Sequence, residues 1–205
     1  MFSEFTKRLL KSSNGFDFVA AHFACEKDKF SASNPNGFVN FGSAQNYLGK
    51  TEIESRLRSL DWNLADTPYR DFAGTESSRT AVANYLQEIS GQSVDANHIV
   101  IGNGLISVLE AIGIAILDAG DHVLVTTPVF PGLITALTFR TQANFMSLET
   151  SADQQFQLSP FVLREKLEFE FQQDRPVKAV LLCSPGNPIG QVFTCLLYTS
   201  DAADE

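Results

Sequence analysis

Residues 122–148 read HVLVTTPVFPGLITALTFRTQANFMSL. The stretch opens on an apolar run, His122-Val123-Leu124-Val125. A loop with two prolines follows, then a segment over 131–139 with helical spacing, then a second strand-like run over 143–148. A short apolar run bounded by turn residues is how a strand buried on both faces reads. Two such runs joined by a helix make one βαβ unit. The alternation continues in both directions. Upstream, Ile99-Val100-Ile101 predicts a short strand, and the residues from Ser107 to Leu117 an apolar helix. Downstream, residues 160–173 predict an amphipathic helix built on Phe161, Leu163, Leu167 and Phe171, and Ala179-Val180-Leu181-Leu182 predicts a strand. Strand and helix alternate four times over residues 98–183. This predicts an α/β fold with a parallel-rich sheet and helices on both faces.

Farther upstream the pattern is weaker. Residues 3–12 predict a short helix with Phe5, Leu9 and Leu10 on one face. Residues 13–50 read as irregular, with a turn at Asn34-Pro35-Asn36-Gly37 and an extended run from Phe38 to Phe41. A helix is expected from Thr51 to Leu60, with Thr51 and Glu54 forming a capping box. Another is expected from Ser77 to Ile89, with Val82, Leu86 and Ile89 at helical spacing.

Composition narrows the classes. Of 205 residues 44% are hydrophobic, enough to build a core. The formal net charge of −9 lacks the basic face a nucleic-acid binder carries, so no nucleic acid is expected as a partner. Cys25, Cys183 and Cys195 are an odd set, far apart and without a CxxC pair; His22, His98 and His122 are equally scattered. Neither a disulfide framework nor a metal site is expected. No apolar run approaches the ~18 residues of a membrane span, and the stretch around Lys7-Arg8-Leu9-Leu10-Lys11 is a poor signal peptide. The expectation is a soluble cytoplasmic chain that does not engage a membrane.

Ligands of open parallel sheets sit at the carboxyl ends of the strands, so function is sought in the loops that begin at Gly102, Thr126 and Cys183. Gly102-Asn103-Gly104-Leu105-Ile106-Ser107 joins strand to helix, and the free N–H groups of such a helix start favour an anion such as phosphate. A dinucleotide is disfavoured: Ser107 stands where the fingerprint wants Gly, and Asp121 precedes the next strand rather than ending it. In Thr127-Pro128-Val129-Phe130-Pro131-Gly132, two prolines bracket Phe130, an aromatic able to stack on a flat ring. In Ser184-Pro185-Gly186-Asn187-Pro188-Ile189-Gly190, two prolines bracket the amide of Asn187. Singly, each loop reads better as a plain turn or a core aromatic than as a binding site.

Together the three loops are more specific. The 184–190 loop resembles the Asn-Pro-x-Gly loop of class I/II aminotransferases, pyridoxal-phosphate enzymes of fold type I. Ala119-Gly120-Asp121 and Pro128-Val129-Phe130-Pro131 resemble that family's Pro-Gly-Asp…Pro-x-aromatic-Pro segment. The run from Asn34 through Gly42-Ser43-Ala44-Gln45-Asn46-Tyr47-Leu48 is similar to a segment of the 1-aminocyclopropane-1-carboxylate synthases and their aminotransferase-like relatives. Tyr69-Arg70-Asp71-Phe72-Ala73-Gly74 resembles their Asp-Tyr-x-Gly segment. The resemblance runs from about Asn34 to Thr194.

The resemblance implies a partial large domain of a fold type I enzyme, with pyridoxal 5'-phosphate as cofactor and an amino acid and a 2-oxo acid as substrates. It implies that Gly104, Leu105 and Ile106 cradle the cofactor phosphate, that Phe130 stacks on its ring, and that Asn187 hydrogen-bonds the ring oxygen. The backbone of Ala44, beside Gln45, would meet the substrate carboxylate. Phe72 would reach the phosphate in a partner subunit, since the family forms its sites in a homodimer. The Thr127-Pro128 and Asn187-Pro188 bonds are expected to be cis.

Three departures bear on activity. Gln45 replaces the synthases' Glu, Phe72 a phosphate-binding Tyr, and Leu105-Ile106 an Ala-Thr pair. Two lost donors would each weaken phosphate binding by about 1–2 kcal/mol. All seven lysines (7, 11, 27, 29, 50, 166 and 178) precede Asn187, whereas the family's cofactor-bearing Lys follows that loop; no catalytic residue is therefore assigned. Lys166 and Lys178 read as solvated charges. The last eleven residues, Cys195 to Glu205, resemble a read-through translation of a sequencing-library adapter. The expected organisation is an arm and small-domain segment over 1–50, a partial large domain over 51–194, and a non-native tail over 195–205. The leading expectation is a fragment of an aminotransferase, inactive alone. The alternatives are a non-catalytic binding homologue and a cyclopropane-forming synthase-type lyase.

Overall fold

The computed structural model describes residues 2–4, 6–7, 18–42, 44–61, 64, 67–195 and 197. Of the expected helix over 3–12 only residues 3, 4, 6 and 7 are described, the last three of them helical; the rest of it and most of the last eleven residues lie outside the described residues. The chain divides into two compact units, residues 1–68 and 69–205.

In the first unit, helix α1 spans Phe18–Lys27 and α2 spans Lys50–Arg58. Helix α1 corrects the expectation of irregular chain over 13–50. Its apolar residues do not gather on one face, so periodicity left no signal there. The Asn34–Gly37 turn forms as expected: Gly37 N–H donates to Asn34 O at 3.1 Å, and Phe38 N–H to Asp28 O at 2.7 Å. The capping box at Thr51 is also corrected. Helix α2 starts one residue earlier, with Gly49 at its N-cap and no side-chain cap. Asn46 Oδ1 accepts from the N–H groups of Leu48 and Gly49, both at 3.1 Å, and turns the chain into the helix. Glu54 pairs with Arg58 Nη2 at 2.8 Å instead.

In the second unit, α3 spans Glu76–Ser90, capped by Thr75, whose hydroxyl accepts from Ser78 N–H at 3.2 Å. Then come α4 (Leu105–Ile116), β1 (His122–Thr127), α5 (Pro131–Thr138), β2 (Asn144–Glu149), α6 (Pro160–Gln172) and β3 (Val177–Leu181). The sheet order is β2-β1-β3, all parallel; Val123 pairs with Phe145 and Ala179, and Val125 with Ser147 and Leu181. The predicted strand at Ile99-Val100-Ile101 does not form. The segment is extended at Ile99, but its one backbone bond to another segment is Ile101 N–H to Ala73 O at 2.9 Å, and one bond makes no ladder.

Strand β1 carries the core. Val123, Leu124 and Val125 are fully buried because side chains alternate between two covered faces. Val123 and Val125 pack with Leu117 and Leu137, beneath α4 and α5. Leu124 packs the other way, with Leu148, Leu158, Phe193 and Leu197, and Leu163 and Leu167 of α6 lie against them. Helices α4 and α5 approach to backbone contact at Gly113, where a Cβ would lie 2.9 Å from Leu137 O.

Lys166 is not the solvated charge expected. Its Nζ lies 2.7 Å from Oε1 of Glu170, whose side chain is 3% exposed, and Arg175 Nη2 lies 2.7 Å from Oε2. The hydrogen bond from Lys166, aided by the charges of Lys166, Arg175 and His122, holds the Glu170 carboxyl below its ordinary value against the opposing effect of burial. A carboxyl depressed in the fold adds stability in full above its unfolded value of about 4.3 and loses it as pH falls through the lower folded value. Thermal midpoints measured from pH 7 to about 3 should therefore show wild type above Glu170→Gln at neutral pH, with the gap closing in acid. A gap that widened in acid would contradict the pairing.

Candidate functional site

Because the sheet is parallel, the carboxyl ends of its strands share one edge, and two of the three loops begin there. At the end of β1, Thr150 N–H and Oγ1 both donate to Thr127 O, at 2.8 and 2.9 Å. The chain then passes through Pro128 to Phe130, which is the N-cap of α5, with Pro131 opening the helix. The Phe130 ring folds over Gly132; a Cβ there would sit 2.6 Å from ring carbon Cζ. Glycine at 132 is what lets the ring lie in this pose, 43% exposed.

After β3, the chain turns through Cys183 and Ser184. The loop is closed on itself: Gly186 N–H donates to Gln191 O at 2.7 Å, Gly190 N–H to Gly186 O at 2.6 Å, and Phe193 N–H to Ser184 Oγ at 3.2 Å. Buried Phe193 anchors its end. Asn187 is thereby displayed at the tip of a braced loop. The Thr127-Pro128 and Asn187-Pro188 bonds are cis, as expected, and so is Ser184-Pro185, which the sequence reading missed.

The third loop enters α4. Gly104 is its N-cap with φ 82, a left-handed value that glycine adopts without strain. No side chain caps this helix, so the N–H groups of its first turn, Leu105, Ile106 and Ser107, stay available to an anion. The Ser107 hydroxyl donates instead to Gly104 O at 2.9 Å.

These loops converge. Gly104, Leu105, Ile106, Phe130 and Asn187 line one cavity of about 360 Å³, and Asn103, Leu133 and Cys183 complete it. Asn103 and Cys183 stand in loops singled out from the sequence but were given no role there, and Leu133 was not anticipated; it follows Phe130 by three residues at the start of a helix, and that spacing was a usable signal. No charged side chain is among the lining residues. Phe72 does not line this cavity. It is 96% exposed, in a turn where Asp71 Oδ1 accepts from Ala73 N–H at 2.9 Å. Ala44 and Gln45 lie in the first unit, both exposed, and the Tyr47 hydroxyl donates to Gln45 Oε1. Among the described residues no group of three His, Cys, Asp or Glu is placed to hold a metal, and no helix is long and apolar enough to cross a membrane.

The cavity suits a flat ring bearing a phosphate. Open space surrounds the position a Gly104 Cβ would take, an uncapped helix start supplies donors, Phe130 offers a ring face, and Asn187 offers an amide. The carboxyl edge of a parallel α/β layer is where proteins of this architecture bind their ligands. Residues 14–198 match the model of aminotransferase class I and II. The chain belongs to that family, whose enzymes depend on pyridoxal phosphate. It is 30% identical over 203 residues to 1-aminocyclopropane-1-carboxylate synthase 5 of Arabidopsis thaliana, covering 89% of this chain and 43% of that protein. A mutant aspartate aminotransferase of Thermus thermophilus superposes with a TM-score of 0.59 at 25% identity, covering 75% of this chain and 39% of that one. An aminotransferase from Mycobacterium tuberculosis shares the fold, with a TM-score of 0.71 at 20% identity over 99% of this chain and 48% of that one. The chain thus spans under half the length of the curated relative.

Proposed function

We propose that the cavity at the carboxyl edge of the sheet binds pyridoxal 5'-phosphate, and that the full-length protein transfers an amino group between an amino acid and a 2-oxo acid. The observation that carries this is the meeting of Gly104, Phe130 and Asn187, from three loops distant in sequence, at one cavity. The first-turn N–H groups of Leu105 and Ile106 hold the phosphate, Phe130 stacks on the ring, and the Asn187 amide donates to the ring oxygen. The cofactor, when bound, supplies an electron sink; the protein supplies position and charge. Ala44 and Gln45 meet the substrate carboxylate, and Phe72 reaches the partner subunit's cofactor in a cytoplasmic homodimer. Residues 1–50 form an arm and small-domain segment, 51–194 part of the large domain, and 195–205 a non-native tail.

The synthase-type lyase is the second reading, favoured by the named Arabidopsis relative and opposed by Gln45, which removes a negative charge. Product analysis of the full-length enzyme separates the two. Cofactor binding is testable on this chain. Fluorescence titration with 4-deoxypyridoxine 5'-phosphate, which has no aldehyde, should show binding, and Asn187→Ala should weaken it about 3–10-fold, the worth of one hydrogen bond. Unchanged affinity in Asn187→Ala would remove Asn187 from the site.

A further inference from the structure

Arg79 stands at the start of α3, outside the cavity, and its side chain is only 13% exposed. Its guanidinium makes three contacts on two segments. Nε donates to Gly74 O at 3.1 Å, Nη1 donates to Ala96 O at 3.1 Å, and Nη2 lies 3.5 Å from Asp71 Oδ2. The first and third contacts close the turn that carries Phe72. The second holds the 3-10 turn Ala96–His98, from which the chain runs out to Gly104. That run is not held by a sheet. Among the contacts that hold it are Arg79 at residue 96 and, at the other end, Ile101, whose N–H donates to Ala73 O at 2.9 Å. Gly74 packs on the same residue, since a Cβ there would lie 3.1 Å from Ile101 Cβ. Ile101 directly precedes Gly102-Asn103-Gly104.

We infer that Arg79 is a positioning residue for the phosphate end of the cavity, clamping the Phe72 turn against the segment 96–101 and so setting where the Gly104 turn begins. The inference rests on the cofactor reading above. A planar fork with donors on separate nitrogens can serve two carbonyls and a carboxylate at once; a lysine ammonium at the end of its stem cannot span all three. The donors that meet the phosphate are backbone groups, and their aim follows the position of the chain that carries them. A displaced Gly104 turn would cost phosphate recognition first and ring recognition little, because Phe130 and Asn187 are braced from β1 and β3.

The test compares two probes on the 205-residue chain, 4-deoxypyridoxine 5'-phosphate and unphosphorylated 4-deoxypyridoxine, by fluorescence titration. Wild type should prefer the phosphorylated probe. Arg79→Lys should reduce that preference by about tenfold, the loss expected when contacts to a charged group are misaligned, while affinity for the unphosphorylated probe changes less than about threefold. Glu170→Gln, a destabilising change remote from the loop, is the control and should keep the wild-type preference despite a lowered thermal midpoint. Arg79→Met should behave as Arg79→Lys or more severely; should it fail to fold, Arg79→Lys still decides. A wild-type preference retained in Arg79→Lys overturns the role of Arg79 alone. No preference in wild type overturns the cofactor reading and this role with it.

Discussion

Leu124→Ala should lower the stability of the chain by about 2–5 kcal/mol, the range for emptying a large buried aliphatic site. Leu124 is fully buried on the central strand, paired with Met146 and Val180 and packed on Leu148, Leu158 and Phe193. Neighbours on a sheet cannot collapse into the hole without breaking β1's ladders to both edges, so most of the cavity persists. With net stabilities of domains at about 5–15 kcal/mol, the substitution removes a large share. Val180→Ala is the comparison. Val180 lies on edge strand β3 and is 39% exposed, so its truncation should cost under about 1 kcal/mol. Equal shifts of the two denaturant midpoints would contradict the central place of β1.

The second expectation is all-or-none. Incubated with pyridoxal phosphate and reduced with borohydride, the 205-residue chain should yield no stoichiometric adduct on any one lysine, as read by intact mass and peptide mapping. All seven lysines precede Asn187 in sequence. Among the described residues no lysine lines the cavity, and Lys166 is engaged with Glu170 on α6. Without an amine at the ring no Schiff base forms, and borohydride has no imine to fix. A single lysine modified to completion would overturn this, and with it the assignment of the family's cofactor-bearing Lys to chain beyond the Asn187 loop.

The two expectations draw on different kinds of legibility. The stretch 122–148 disclosed β1, α5 and β2 because apolar runs of strand length, separated by a proline-bracketed helix, have few other solutions. Helix α1 was missed because its apolar residues do not share a face, and the Thr51 box because Asn46, earlier in the chain, offered the backbone a better acceptor. The strand at Ile99-Val100-Ile101 was read from composition, which reports the preference for extended backbone but not the presence of a pairing partner.

The sequence alone determined the α/β class, the parallel order of alternation and the identity of the three loops, since periodicity, proline and glycine act locally and are visible residue by residue. Tertiary structure decided what those loops do together. Only the sheet order β2-β1-β3 puts the ends of β1 and β3 side by side, which brings Phe130 and Asn187 together, and the packing of α4 on α5 adds Gly104 to the same cavity. The same holds for Glu170 and Arg79. Each looks like an ordinary helix-surface charge in the sequence, and each becomes a buried anchor because groups brought in by the fold, Arg175 and His122 for one, Gly74 and Ala96 for the other, meet its charge where water is largely excluded.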